Sequence, residues 1–185
     1  MTFALPPAIE HALERPADPK AMLLATLQAV TEALAADRCF VHVRDPDERV
    51  FENLCWRRNP NVPDTSTFGW EREQAWEHDD PMFKAALACA PSIFVEDVER
   101  ADPALLNADF ERAHFGHRAL IHAHCCDGDA LWAILQPAVF DAPRIWSATD
   151  RALIGAVLPR LLPVVKARVR ESTDAIRKVL IPAGD

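Results

Sequence analysis

The run HRALIHAHCC, residues 117–126, gathers His117, His122, His124, Cys125 and Cys126 within a single short segment. Imidazoles and thiolates are the side chains that bind transition metals, move protons and carry redox chemistry. Successive side chains of a β-strand point to opposite faces. Leu120, His122, His124 and Cys126 therefore share one face, and Ala119, Ile121, Ala123 and Cys125 the other. A His-x-His pair on one strand converges well enough to hold a metal, and His114 or His117 at the strand entrance would add a third ligand. No acidic ligand stands on that strand, so the preferred reading is a pair of pocket histidines that hydrogen-bond or meet a ligand. No metal site and no catalytic residue is assigned, and haem on an imidazole ranks lower still. Cys125 and Cys126 are adjacent, which is poor geometry for a mutual bond, and are read as buried free thiols. A metal- or thiol-dependent enzyme using His122, His124 and Cys126 is the rival reading.

Other residues that could do chemistry are the carboxylates Glu96 and Asp97 and a group of aromatics. The carboxylates end an apolar run, where capping a helix or pairing with Arg118 or Arg100 is the commoner role than acid-base work. Trp56, Arg57, Trp70, Trp76 and Phe110 suit a pocket for a flat or anionic ligand, while Trp132 and Trp146 suit core anchors. The candidate ligand-binding set is Trp70, Phe94, Asp97, Phe110, His122 and His124.

These side chains need elements to place them. Residues 18–36 carry Met22, Leu23, Leu27, Val30 and Leu34 at helical spacing behind Asp18 and Pro19, an amphipathic helix with its cap. Cys39–Arg44 and Val50–Arg57 flank the turn formers DPDE and read as a hairpin. Residues 59–80 are rich in turn formers and read as an irregular crossing, before a short helix begun by Asp80 and Pro81. SIFVEDV is a third strand, and a helix started by Asp102 and Pro103 and ended by Gly116 follows. HRALIHAHC and ALWAILQPAVF form a second hairpin about the turn CDGD. From Ser147 the chain reads as one long helix to about Leu180, with kinks or a break expected between residues 155 and 163 at Pro159 and Pro163. The order implies an α+β fold with one central antiparallel sheet. Terminal helices would cover one face, and the middle insertions would roof a pocket on the other.

The balance of 28 acidic against 20 basic residues leaves a formal charge of −8 and argues against a nucleic-acid partner, which needs a basic face. No apolar run is long enough to span a membrane. The five cysteines form no CxxC pair and no even framework, which fits thiols kept reduced in the cytoplasm.

Several segments together resemble the GAF domain family, small-molecule sensor modules of signalling proteins, and in particular the GAF domains of phytochrome-like and cyanobacteriochrome photoreceptors. Leu131, Trp132 and Ala133, then Pro143, Arg144 and Trp146, then Asp150 are similar to that family's Leu-Trp-Gly strand, Pro-Arg-x-Trp segment and acidic helix start. DRCFVHVRD and SIFVEDVERADP resemble two of its other strands. The resemblance spans roughly residues 20–168. It implies a sensor fold, and it places His122 and His124 on the pocket side of the sheet. The photoreceptors attach a linear tetrapyrrole through a Cys-His pair, which would fall near Leu106 and Asn107 here; no Cys-His dipeptide occurs in the chain. The expectation is therefore a stand-alone regulatory domain without covalent chromophore, with an N-terminal extension (residues 1–17), the GAF-like domain (18–168) and a C-terminal helical extension (169–185). It would bind an unidentified small-molecule ligand, with no cofactor named, and form a homodimer through its terminal helices. A degenerate scaffold serving only protein interaction is the third reading.

Overall fold

The computed structural model describes residues 3–15, 17–74 and 80–181. Its helices are α1 (Pro7–Glu14), α2 (Pro19–Ala33), α3 (Pro81–Leu87), α4 (Ala108–His114), α5 (Ala148–Glu171) and α6 (Thr173–Leu180). Its strands are β1 (Arg38–Asp45), β2 (Val50–Arg57), β3 (Glu71–Arg72), β4 (Ile93–Val95), β5 (Ala119–Asp127) and β6 (Ala130–Val139).

The helix signals act where they stand, with one exception. Asp18 Oδ1 accepts from Ala21 N at 3.0 Å and Asp80 Oδ2 from Phe83 N at 2.8 Å, so each Asp-Pro pair caps a helix whose first turn tolerates a missing N–H. Asp102 and Pro103 form only a turn. The chain first seats Leu106 in the core, and α4 then begins under an Asn107 cap, whose Oδ1 accepts from Phe110 N at 3.1 Å. Gly116, at φ 68°, ends α4 in the left-handed conformation that a residue without Cβ adopts freely.

Ser147 and Asp150 cap α5 reciprocally, each side chain accepting from the other's backbone N–H. Of the kinks or break expected between residues 155 and 163, the break does not occur. α5 stays helical through Pro159 and Pro163, and the interruption falls at Ser172. Seven of its side chains, from Leu153 to Val169, are buried, and that packing holds the helix despite two missing donors.

The six strands form one antiparallel sheet in the order β3-β2-β1-β6-β5-β4. β1 lies opposite β2 from Arg38 and Arg57 through to Asp45 and Val50, the hairpin its turn signals require. The main core fills the space between this sheet and α1, α2 and α5: Val41, Val43, Leu54, Ile121, Ala123 and Leu135 meet Leu23, Leu27, Val157 and Leu161. On the opposite face smaller clusters form under α3 and the segment leading to α4, around Met82, Leu106 and Leu120 and around Phe83, Ala86 and Ile134. This is the α+β plan with terminal helices on one face and insertions on the other.

Both terminal helices, α1 and α6, join the main core. Leu5, Ile9 and Leu13 bury α1 against it, and Ile176 does the same for α6. The Arg72 guanidinium, from β3, donates to Val179 O at 3.2 Å and Leu180 O at 2.6 Å, satisfying carbonyls at the end of α6 that have no helical partner. Glu52, buried on β2, pairs with Lys20 of α2 at 3.0 Å and Arg168 of α5 at 2.7 Å, so one carboxylate ties two helices to the sheet.

Candidate functional site

Alternation along four strands builds the floor of a cavity. On β1, Phe40 and His42 face away from the main core, as do Phe51 and Asn53 on β2 and Ile134 and Gln136 on β6. The register sets them in rows: Asn53 lies opposite His42, which lies opposite Ile134, which lies opposite His124. One step along, Phe40 lies opposite Gln136, and His122 stands next in the row, beside Ile93 of β4. α3 supplies Met82 and Phe83 to the roof; Phe110, Glu111 and Phe115 come from α4 and its end. Asp80, Thr67 and His122 complete a chamber of about 220 Å3. The walls are mainly aromatic. The His42 ring stacks on Phe51 at 4.5 Å and meets Phe83 edge-on at 5.7 Å.

The histidines are neutral, and their protons can be placed. Ala90 O can only accept, so His124 donates to it from Nδ1 at 2.7 Å and keeps an unprotonated Nε2. That Nε2 accepts from His122 Nδ1 at 2.9 Å, which leaves His122 Nε2 a bare acceptor on a ring that lines the cavity. His42 donates from Nδ1 to Asn53 Oδ1 at 2.9 Å, and its Nε2 has no hydrogen-bond partner among the described residues. Burial is the main cause that lowers all three imidazoles, His42 to about 4 and His122 well below its usual value.

The carboxylates complete the electrostatics. Asp80 spends Oδ2 on the α3 cap, while Oδ1 has no partner among the described residues. Desolvation raises its pKa to about 6, with nearby Glu111 adding to the rise. Glu111 accepts from His117 Nε2 at 2.6 Å, and His117 Nδ1 accepts from Arg38, a fully buried guanidinium, at 3.3 Å. Arg38 also lies 4.9 Å from the Phe140 ring centroid.

The structure brings together only part of the candidate set read from the sequence. Phe110 and His122 line the cavity. His124 stands one hydrogen bond behind His122 and orients it. Trp70 is buried in the main core on the helix side of the sheet. Phe94 lies opposite Ile121, which packs into that same helix-side core, and Arg151 sits over its ring at 4.2 Å. The expectation that these two share the cavity wall is corrected by strand parity and by the fold of residues 59–72, neither of which can be fixed without the register. Asp97 lines a separate surface groove, paired with Arg118 at 2.8 Å and capping the turn of 98–100 through Glu99 N at 3.0 Å. Trp76 lies outside the described residues.

Two further readings change. Cys126 is not a free thiol: it is paired with Cys89 in a disulfide, their Cα atoms 6.1 Å apart, while Cys125 remains free and buried on the other face. His117 serves Glu111 and Arg38, and among the described residues no three His, Cys, Asp or Glu side chains are arranged to hold a metal ion.

His42, Gln136, Asp80 and Glu111 are the site residues that sequence reading misses. His42 carried a signal, since it alternates correctly within the first strand; Gln136 and Glu111 carried none.

No family model matches the chain, and no curated protein matches it in sequence. Solved structures do. The GAF domain of an Acinetobacter phosphoenolpyruvate-protein phosphotransferase is 10% identical, with a TM-score of 0.65 over 90% of this chain and 92% of that one. A phycoerythrobilin-bound GAF domain of a cyanobacterial phytochrome is 14% identical, with a TM-score of 0.68 over 88% and 94%. A GAF domain from Synechocystis in its photoproduct state is 21% identical, with a TM-score of 0.60 over 84% and 98%. The chain has the GAF-domain fold.

Proposed function

We propose that this protein is a sensory or regulatory module that takes a small molecule into the chamber between the sheet and α3 and α4. The observation that carries the reading is the chamber's polar lining. His42 Nε2, Asp80 Oδ1 and Gln136 Nε2 are all buried with no partner among the described residues. Each such atom costs on the order of 1–3 kcal/mol unless something bonds to it. A packed scaffold kept only for protein interaction gains nothing from that cost.

The ligand is held without a covalent chromophore. The chamber, at about 220 Å3, falls below the roughly 300 Å3 at which pockets for drug-sized ligands begin. Residues 18–168 form the ligand-binding domain, and α1 and α6 are the flanking parts that transmit its state. The module is regulatory and not an enzyme: Cys126 is spent on Cys89, and the His122–His124 pair is tied to Ala90 O. The cytoplasm is its assigned setting on the three free thiols of Cys39, Cys55 and Cys125, against which the Cys89–Cys126 disulfide is the single covalent cross-link among the described residues, and it works as a homodimer through its terminal helices. Among the described residues no helix is long and apolar enough to cross a membrane.

Native mass spectrometry of freshly purified protein tests the reading. A dimer carrying a bound small molecule is expected. Protein that stays ligand-free, and whose cavity resonances do not respond to a library of small fragments, would refute it.

A further inference from the structure

The lining of the chamber is strongly biased toward hydrogen-bond acceptors. His42 and His122 line it, and each keeps an unprotonated Nε2, because their Nδ1 protons are committed to Asn53 and His124. Asp80 adds Oδ1, and Glu111 adds the carboxylate whose Oε2 accepts from His117. Against these stand two amides: Gln136, whose Nε2 has no partner among the described residues, and Asn53, whose Oδ1 is taken by His42 Nδ1. Thr67 is already satisfied, its Oγ1 donating to Gly69 O at 2.6 Å and accepting from Asn53 N at 3.0 Å.

The charges lean the same way. Asp80 and Glu111 are two carboxylates at one chamber, and the single buried cation behind them, Arg38, reaches Glu111 only through neutral His117. Exposed Lys84 on α3 partly offsets Asp80, so the chamber keeps an excess of carboxylate over buried cation. The rest of the wall is apolar and mostly phenylalanine, with Met82 and Ile134 beside the rings, and aromatic faces attract cations as well as flat apolar bodies.

We infer that the chamber selects a small, planar, singly charged organic cation whose N–H groups fan outward, an aryl amidinium or guanidinium or a protonated amino-heterocycle of one or two rings. The N–H array would donate to Asp80 Oδ1 and to His42 and His122 Nε2, while the ring lies among the phenylalanines. An anion of the same shape meets lone pairs and a carboxylate, and a hydrocarbon of the same shape leaves them all unpaired. This inference rests on the ligand-binding reading of the same chamber.

The test uses three molecules of matched shape, benzamidine, benzoate and toluene, titrated into the isotope-labelled full chain at neutral pH with amide spectra recorded. Benzamidine is expected to shift resonances of β1, β6, α3 and α4 and to bind at least about tenfold more tightly than toluene, with benzoate not binding. Asp80→Asn keeps the α3 cap and is expected to cut benzamidine affinity at least about tenfold while leaving toluene binding unchanged. Glu111→Gln is the second variant, and unchanged toluene binding again reports an intact chamber. Toluene binding as well as benzamidine, or benzoate binding best, would overturn the cation inference and leave the ligand-binding reading standing. No response to any of the three at cavity residues would overturn both.

Discussion

His42 shows how much a single residue can decide. Its imidazole is 7% exposed and neutral, held to Asn53 and pressed between phenylalanine rings. Its pKa falls from the ordinary 6.5 to about 4, chiefly through burial. The unfolded chain therefore binds a proton that the folded chain refuses between those values. The contribution is complete above pH 6.5 and is lost as pH falls toward 4. It amounts to at most about 3 kcal/mol, and His122 acts in the same direction. Asp80 opposes them: its raised pKa favours the folded state at low pH, and that benefit fades as pH rises through about 6. The expected net result is that wild-type stability in urea falls between pH 7 and pH 4, and that His42→Gln flattens the slope. A slope unchanged by that substitution would show that His42 is not the buried neutral group described.

At the scale of elements, two cross-links hold the cavity and the core in place. The Cys89–Cys126 disulfide joins the end of α3, the roof, to the end of β5, the floor, across a sequence separation of 37. Closing a loop of that length stabilises a fold by about 2–4 kcal/mol. Cys89→Ser, or a reductant, is expected to lower the melting temperature. It is also expected to raise hydrogen exchange first in α3, and alkylation with mass analysis reports whether the two thiols have been released. On the opposite face, Glu52 holds Lys20 and Arg168. Glu52→Ala removes the carboxylate shared by Lys20 and the half-buried Arg168, which keeps Glu171 at 2.8 Å, and should cost about 1–3 kcal/mol in urea unfolding. Glu52→Ala leaves the cavity lining untouched, so ligand affinity measured under folding conditions should not change.

The element plan was largely legible in the sequence, because its signals are local. Asp18-Pro19, Asp80-Pro81 and the Ser147/Asp150 box cap the helices they mark, and DPDE and CDGD turn the hairpins they mark. The misplaced start of α4 and the uninterrupted α5 have a common cause. Asp102-Pro103 and Pro159 are local signals too, but burial of Leu106 and of one face of α5 outweighs them.

For the molecule as a whole, the terminal helices are expected to carry the dimer. α6 rests against β3 through Arg72, next to the exposed Ile181. Sedimentation equilibrium should report a dimer, and Arg72→Ala, by releasing α6, should weaken it; a monomer at every concentration would end that proposal. Strand parity, turn signals and capping residues were enough to set an α+β plan and to place His122 and His124 on the same face. Parity is a property of one strand and needs no partner to be read. Which aromatics meet those histidines is different. Trp70 and Phe94 fell to the helix side, and Cys126 found Cys89, because register between strands and the path of a long crossing depend on contacts far apart in sequence. His42, Gln136, Asp80 and Glu111 belong to four separate segments. Only the folded sheet, setting β1 beside β6 and β6 beside β5 and laying α3 and α4 across them, brings their polar side chains to one chamber.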